Sequence, residues 1–184
     1  MFRASFLMVV LACAAGGTSA HCASLSIGSH FGFAWIHGNV EDTGSSTVFA
    51  IPSATLTYQP GLRISACDSR HMHELHIDSG AFILDQAGST ISLISASMGY
   101  QLTLRPTWRN APYVSLDFGV FREGSAVRVS TAPSFGGGVG VRHLVRDHGA
   151  LRCELRMDSL ANDDAVGRPR LTTTGLRLGF DLWL

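Results

Sequence analysis

From residue 24 onward the chain alternates apolar and polar side chains with a period of two. The last stretch shows it most plainly. Leu176, Leu178, Phe180, Leu182 and Leu184 fall on one parity, and Gly175, Arg177, Gly179, Asp181 and Trp183 on the other. Successive side chains of a strand point to opposite faces, so this segment is predicted to be a strand with one apolar face and one polar, charged face. The same test finds seven more strands upstream.

The first strand spans Ser24 to His37, with Leu25, Ile27, Phe31, Phe33 and Trp35 on the apolar face. Gly38 to Ala54 reads as a long polar loop, although Val48 to Ile51 could extend either neighbour. The second strand runs from Thr55 to Ala66, weakened at Pro60, which has no N–H to give a ladder. The third covers Met72 to Leu84 and the fourth Thr90 to Leu104. The fifth is Pro112 to Arg122, the sixth Pro133 to Val145, and the seventh Ala150 to Ser159. The eighth begins at Leu171. Connections alternate in length: short at Asp68, Pro106 and Arg146, longer at Gly38–Ala54, Glu123–Ser130 and Leu160–Pro169.

Eight strands, alternating long and short connections and both ends on the short-turn side predict an all-β fold: an eight-stranded antiparallel up-and-down transmembrane β-barrel. Alternation alone does not say which face is inside. A soluble lipocalin-like binding barrel would bury the apolar face. The charged face argues for the inverse. It carries Arg63, Arg142, Arg152, Arg156 and Arg177 with Glu74, Asp78, Asp117, Glu154, Asp158 and Asp181. Both signs can pair across a lumen, whereas an Arg facing lipid costs about 2–4 kcal/mol at the bilayer midplane. Glycines on the same face leave room for long side chains in a narrow tube. Trp35, Tyr58, Tyr100 and Trp108 lie near strand ends, as an interfacial girdle would. The eleven charges are therefore expected to form a structural luminal ionic network.

Composition adds export. Arg3, the apolar run Phe6 to Ala15 and the small residues Thr18-Ser19-Ala20 form a signal peptide over residues 1–20, leaving 21–184 as one barrel domain. Val10-Leu11-Ala12-Cys13 only weakly matches a lipoprotein box. Every basic residue is Arg, and the formal charge is balanced, which argues against a nucleic-acid partner. In an oxidising compartment Cys22 and Cys67, at the same end of neighbouring strands, are a candidate disulfide pair. Cys153 stays single on the outer face.

Gly136-Gly-Gly-Val-Gly-Val-Arg142, a turn at Asp147 and Leu151-Arg-Cys-Glu-Leu-Arg-Met-Asp158 resemble the penultimate hairpin of OmpA/OmpX-like outer-membrane β-barrel proteins. Arg177, Gly179, Phe180, Leu182 and Leu184 resemble the signal read by the barrel-assembly machinery, apart from Leu184, where that family usually has an aromatic residue. The resemblance implies a bacterial outer-membrane location, with lipid and the assembly machinery as partners. It also implies a monomer and a non-enzymatic role in envelope structure or surface interaction through the long loops.

Enzyme and channel alternatives are weaker. No His after residue 20 is followed two places on by the Ser of a deacylase-like lipid A hydrolase. Asp78-Ser79 is an adjacent pair with its side chains on opposite faces. A filled lumen leaves at most a narrow passive channel. His71, His73 and His76 cannot converge on a metal without a bulge, so neither metal nor cofactor is expected.

Overall fold

A computed structural model describes residues 24–40, 44–50, 58–86, 89–125, 129–146, 148–164, 167 and 170–184. These residues form nine strands: β1 Ser24–Val40, β2 Gly44–Ala50, β3 Gly61–Cys67, β4 His73–Gln86, β5 Ser89–Thr103, β6 Asn110–Gly124, β7 Val129–Arg146, β8 Gly149–Leu160 and β9 Leu171–Trp183. All pairings are antiparallel. β3 to β9 pair in sequence order, and β1 pairs along Ser26–Gly38 with Leu171–Trp183 of β9, closing the wall. β2 and β3 share one place in that wall. β2 pairs with Ala34–Val40 of β1, and β3 pairs with Ser24–His30. The barrel therefore has eight wall positions.

The polar loop expected over Gly38–Ala54 needs correction. β1 continues to Val40 and returns through Gly44–Ala50 as a paired hairpin, so most of this stretch is strand. Residues 51–57, which include the expected start of the second strand, lie outside the described residues. The strand proper starts at Gly61, directly after Pro60, which lacks the N–H a ladder needs. The expected loop over Glu123–Ser130 is also shorter, since β6 runs to Gly124 and β7 begins at Val129.

Side-chain orientation follows the alternation. In β6, Tyr113, Ser115, Asp117 and Phe121 are buried, whereas Val114, Leu116, Phe118 and Val120 are exposed. In β8, Arg152, Glu154, Arg156 and Asp158 are buried against exposed Leu151, Cys153, Leu155 and Met157. The contrast is large at neighbouring positions: Leu155 is 54% exposed and Arg156 1%. The interior is thus polar and the outer wall apolar, the inverse of a soluble barrel.

One interior layer departs from this. At the loop end the inward face becomes apolar: Phe121, Ala132 and Leu160 are buried together, with Leu93 and Leu171 packed against them. This stopper lies between the ionic middle of the lumen and the long connections.

The signal segment, Cys13 and Cys22 fall outside the described residues. Among the described residues Cys67 has no disulfide partner; it is buried, and its Sγ–H points to Glu74 Oε2 at 3.7 Å. Cys153 is free and exposed on the outer wall.

Candidate functional site: the lumen and its turn-end mouth

All eleven charges singled out in the sequence are buried, each at 3% exposure or less. Period two explains why they share the interior. Cross-strand register then decides which of them meet. Asp78 of β4 receives Arg63 of β3 through Nε at 2.6 Å and Nη2 at 2.7 Å. The two residues are direct register partners. Asp78 Oδ2, which accepts from Arg63 Nη2, also receives Arg177 Nη1 at 2.7 Å from across the lumen. Arg177 also donates to Glu154 Oε2 from Nη2 at 2.8 Å and from Nε at 3.1 Å. Glu154 is the register partner of Arg177 and accepts in addition from Ser115 and from Arg156 at 3.2 Å.

Arg156 is the most connected cation. Its guanidinium donates to Asp117 Oδ2 at 2.9 Å, to both oxygens of Asp158 at 2.8 and 3.1 Å, and to Glu154. Glu154 and Asp158 flank it at i−2 and i+2, so one strand supplies a cation between two carboxylates on a single face. Arg152 and Asp181 form a separate bidentate pair, with Nη2 2.9 Å from Oδ1. Buried charges are tolerable only when paired and hydrogen-bonded, and here nearly all of them are.

Glycine makes room for this network. A Cβ on Gly99 would land on His76 Nε2 and Asp117 Oδ1, the two atoms that bond each other at 2.7 Å. Gly99→Ala is expected to destabilise the barrel by about 1–3 kcal/mol through overpacking, as read from urea unfolding in lipid vesicles.

Among the described residues, His76, Asp78 and Asp117 form the one cluster with metal-ligand spacing. Their carboxylates are already taken by Arg63, Arg177 and Arg156. A cation there would have to displace guanidinium groups, so the cluster reads as part of the ion-pair network. His71, His73 and His76 do not converge. His71 lies in the β3–β4 turn, His73 is exposed and bonded to Tyr100 at 2.6 Å, and His76 is luminal. Asp78 is buried while Ser79 is exposed on the other face. Tyr58 is a correction. It is not an interfacial residue but fully buried, with its hydroxyl donating to the Arg156 carbonyl at 2.7 Å. Trp35, Tyr100 and Trp108 are exposed near strand ends as expected, with Arg105 stacked 4.3 Å from the Trp108 ring centroid.

Of the residues resembling an assembly signal, Arg177 is luminal, and Phe180, Leu182 and Leu184 are exposed on the outer wall. A Cβ on Gly179 would press on Ser29 O and Arg152 Nη2, both at 3.1 Å.

The turn-end mouth was not singled out in the sequence. A cavity of about 440 Å³ opens there, lined by His71, Pro106, Thr107, Arg109, Arg142, Leu144 and Trp183. Burial, and then the nearby Arg142 charge, hold the His71 imidazole below its ordinary range, so it is neutral at pH 7.

Comparison with solved structures decides the architecture. The chain superposes on Neisserial surface protein A with a TM-score of 0.64 at 13% identity, covering 86% of this chain and 96% of that one. It matches the outer membrane protein AlkL, solved in DMPC lipid bilayers, with a TM-score of 0.52 at 15% identity over 92% and 94% of the two chains. This is the small outer-membrane β-barrel fold. No family model matches the chain, and no curated protein sequence matches it. The OmpA/OmpX-like architecture read from the hairpin and final strand therefore stands on shape, with little shared sequence.

Proposed function

We propose that the chain is exported to the bacterial outer membrane and spans it as a monomer. There it would serve envelope structure or surface interaction through its loop-end hairpins, without catalysis. The observation that carries this reading is the inverted wall. Leu116 and Phe118, which flank buried Asp117 and share the face opposite to it, are 58% and 61% exposed, and such rows encircle the barrel. An exposed apolar belt of that extent has no place in water. In β1 it runs from Leu25 to Trp35, ten steps along the chain or about 33 Å of strand. A tilt of about 40° turns that into roughly 25 Å, the apolar height of an outer-membrane barrel. Polar residues follow at the loop end, among them His37, Asp85 and Arg122.

Fractionation of cells making the full chain tests this directly. The protein is expected in the outer-membrane fraction, extractable only with detergent and migrating faster on gels when unheated. Recovery from the soluble periplasm would overturn the reading. An unchanged lipid A mass profile on expression is the result expected of a non-enzymatic barrel.

The filled interior supports a closed tube. The ionic network occupies its middle and the Phe121–Leu160 stopper its loop end. Purified protein in planar bilayers is expected to show no stepwise conductance; discrete, reproducible openings would contradict this. Arg177, Gly179, Phe180, Leu182 and Leu184 would act during biogenesis as the segment bound by the barrel-assembly machinery. Their outward apolar row and the extended form of β9 support that role.

A further inference from the structure

We propose that the turn-end mouth is a binding site for a phosphate-bearing anion, held by Arg142 and Arg109. Arg142 is the buried luminal arginine whose hydrogen-bonding capacity the protein leaves largely unused. It is 1% exposed, and among the described residues neither its Nε nor its Nη1 has a hydrogen-bonding partner. Its one hydrogen bond among the described residues runs from Nη2 to the His71 carbonyl at 3.3 Å. The nearest carboxylate oxygen is Glu74 Oε2, 3.9 Å from Nη1 and beyond hydrogen-bond reach. That oxygen is engaged elsewhere, by Gln101 Nε2 at 3.3 Å and the Cys67 thiol. A buried guanidinium with unused donors carries a large desolvation cost, and an anion reaching it would offset that cost.

The surroundings suit such a guest. Arg142 lines the 440 Å³ cavity together with His71 and the exposed residues Thr107 and Arg109. Trp183 fixes the arginine from one side, its ring centroid 5.4 Å from the guanidinium carbon and 5.3 Å from the His71 ring. Donor-bearing residues therefore line the mouth from the β3–β4 turn, the β5–β6 turn and the interior of β7. A phosphate group takes charge-assisted hydrogen bonds from guanidinium groups, and its several oxygens accept from more than one side at once. Two acidic groups stand nearby and limit the net positive field. Glu74 is also drawn to Arg63 at 3.7 Å, and Asp68 accepts from the Met72 and His73 amides.

A free phosphate compound and the headgroup of an anionic phospholipid share this chemistry. Isothermal titration of the folded full chain in zwitterionic detergent separates them. The titrants are inorganic phosphate, a short-chain phosphatidylglycerol and the matching phosphatidylcholine. Saturable binding of phosphate or of phosphatidylglycerol, with phosphatidylcholine at least tenfold weaker, is the expected result. Binding of phosphate marks a soluble ligand, and binding of phosphatidylglycerol alone marks a headgroup. Arg142→Gln is expected to weaken binding at least tenfold and Arg109→Gln about threefold to tenfold. Arg122→Gln, at the opposite end, should leave it unchanged. Because Arg109 is exposed, its variant folds even if the Arg142 variant does not, and unheated gel migration verifies folding of each. No saturable heat with any titrant, or binding that Arg109→Gln leaves intact, would overturn the proposal.

Discussion

Arg156→Met is expected to cost the folded barrel about 3–5 kcal/mol, the usual loss when one partner of a buried ion pair is removed. The cause is the set of groups left behind. Asp117 loses its 2.9 Å donor, Asp158 loses two hydrogen bonds, and Glu154 keeps only Arg177 and Ser115. Among the described residues the lumen holds five arginines against six carboxylates, and Arg142, the one with unused donors, lines the turn-end mouth instead of contacting Asp117 or Asp158. Methionine fills much of the space of the arginine stem, which keeps cavity formation from dominating the result. Urea unfolding in lipid vesicles measures the loss. Adding Asp117→Asn to the same chain should recover part of it, since the two residues are coupled. A change within about 0.5 kcal/mol for Arg156→Met would mean that the side chain is solvated, as at an ordinary surface.

The adjacent position gives the second large effect for the opposite reason. Leu155→Arg is expected to destabilise by about 2–4 kcal/mol, because it places a cation on the lipid face. Leu155 is exposed, so on a water-facing surface the same change would fall within about 0.5 kcal/mol. Two consecutive residues thus answer oppositely to charge: removing it at 156 and adding it at 155 are both costly. A soluble barrel would tolerate both changes.

The alternation carried most of this reading. Period two is rigid, so once Leu155 faces out, Arg156 must face in, and the buried charges follow from the parity of each strand. Their pairings were not legible. Arg63 meets Asp78 because β3 and β4 are in that register, but Arg177 reaches the same Asp78 from 99 positions away across the lumen. No local pattern encodes that distance. The β1–β2 hairpin resembles a loop in sequence for a related reason. A strand that projects past the apolar belt has no lipid to face, so its outward positions no longer need to be apolar, and Gly38, Asn39 and Ser45 look like turn residues. Tyr58 was misplaced because an aromatic at a strand end suggests an interface, whereas the chain around Pro60 turns it inward to the Arg156 carbonyl. The apolar stopper left a trace that parity could have shown: Leu93, Phe121, Leu160 and Leu171 all lie on the inward parity of their strands. The unused donors of Arg142 left none, since they depend on where Glu74 and Gln101 settle in three dimensions.

Cys153 offers the most direct test of the inverted wall, because it is a native thiol on the outer face of β8 beside Leu155. Cys22→Ser leaves it as the accessible thiol, with Cys67 buried. A nitroxide on Cys153, with the protein in lipid bilayers, should collide freely with oxygen, which partitions into hydrocarbon, and hardly at all with a water-soluble nickel chelate. Ready access of the nickel chelate, with little access of oxygen, would place this face in water and contradict the account.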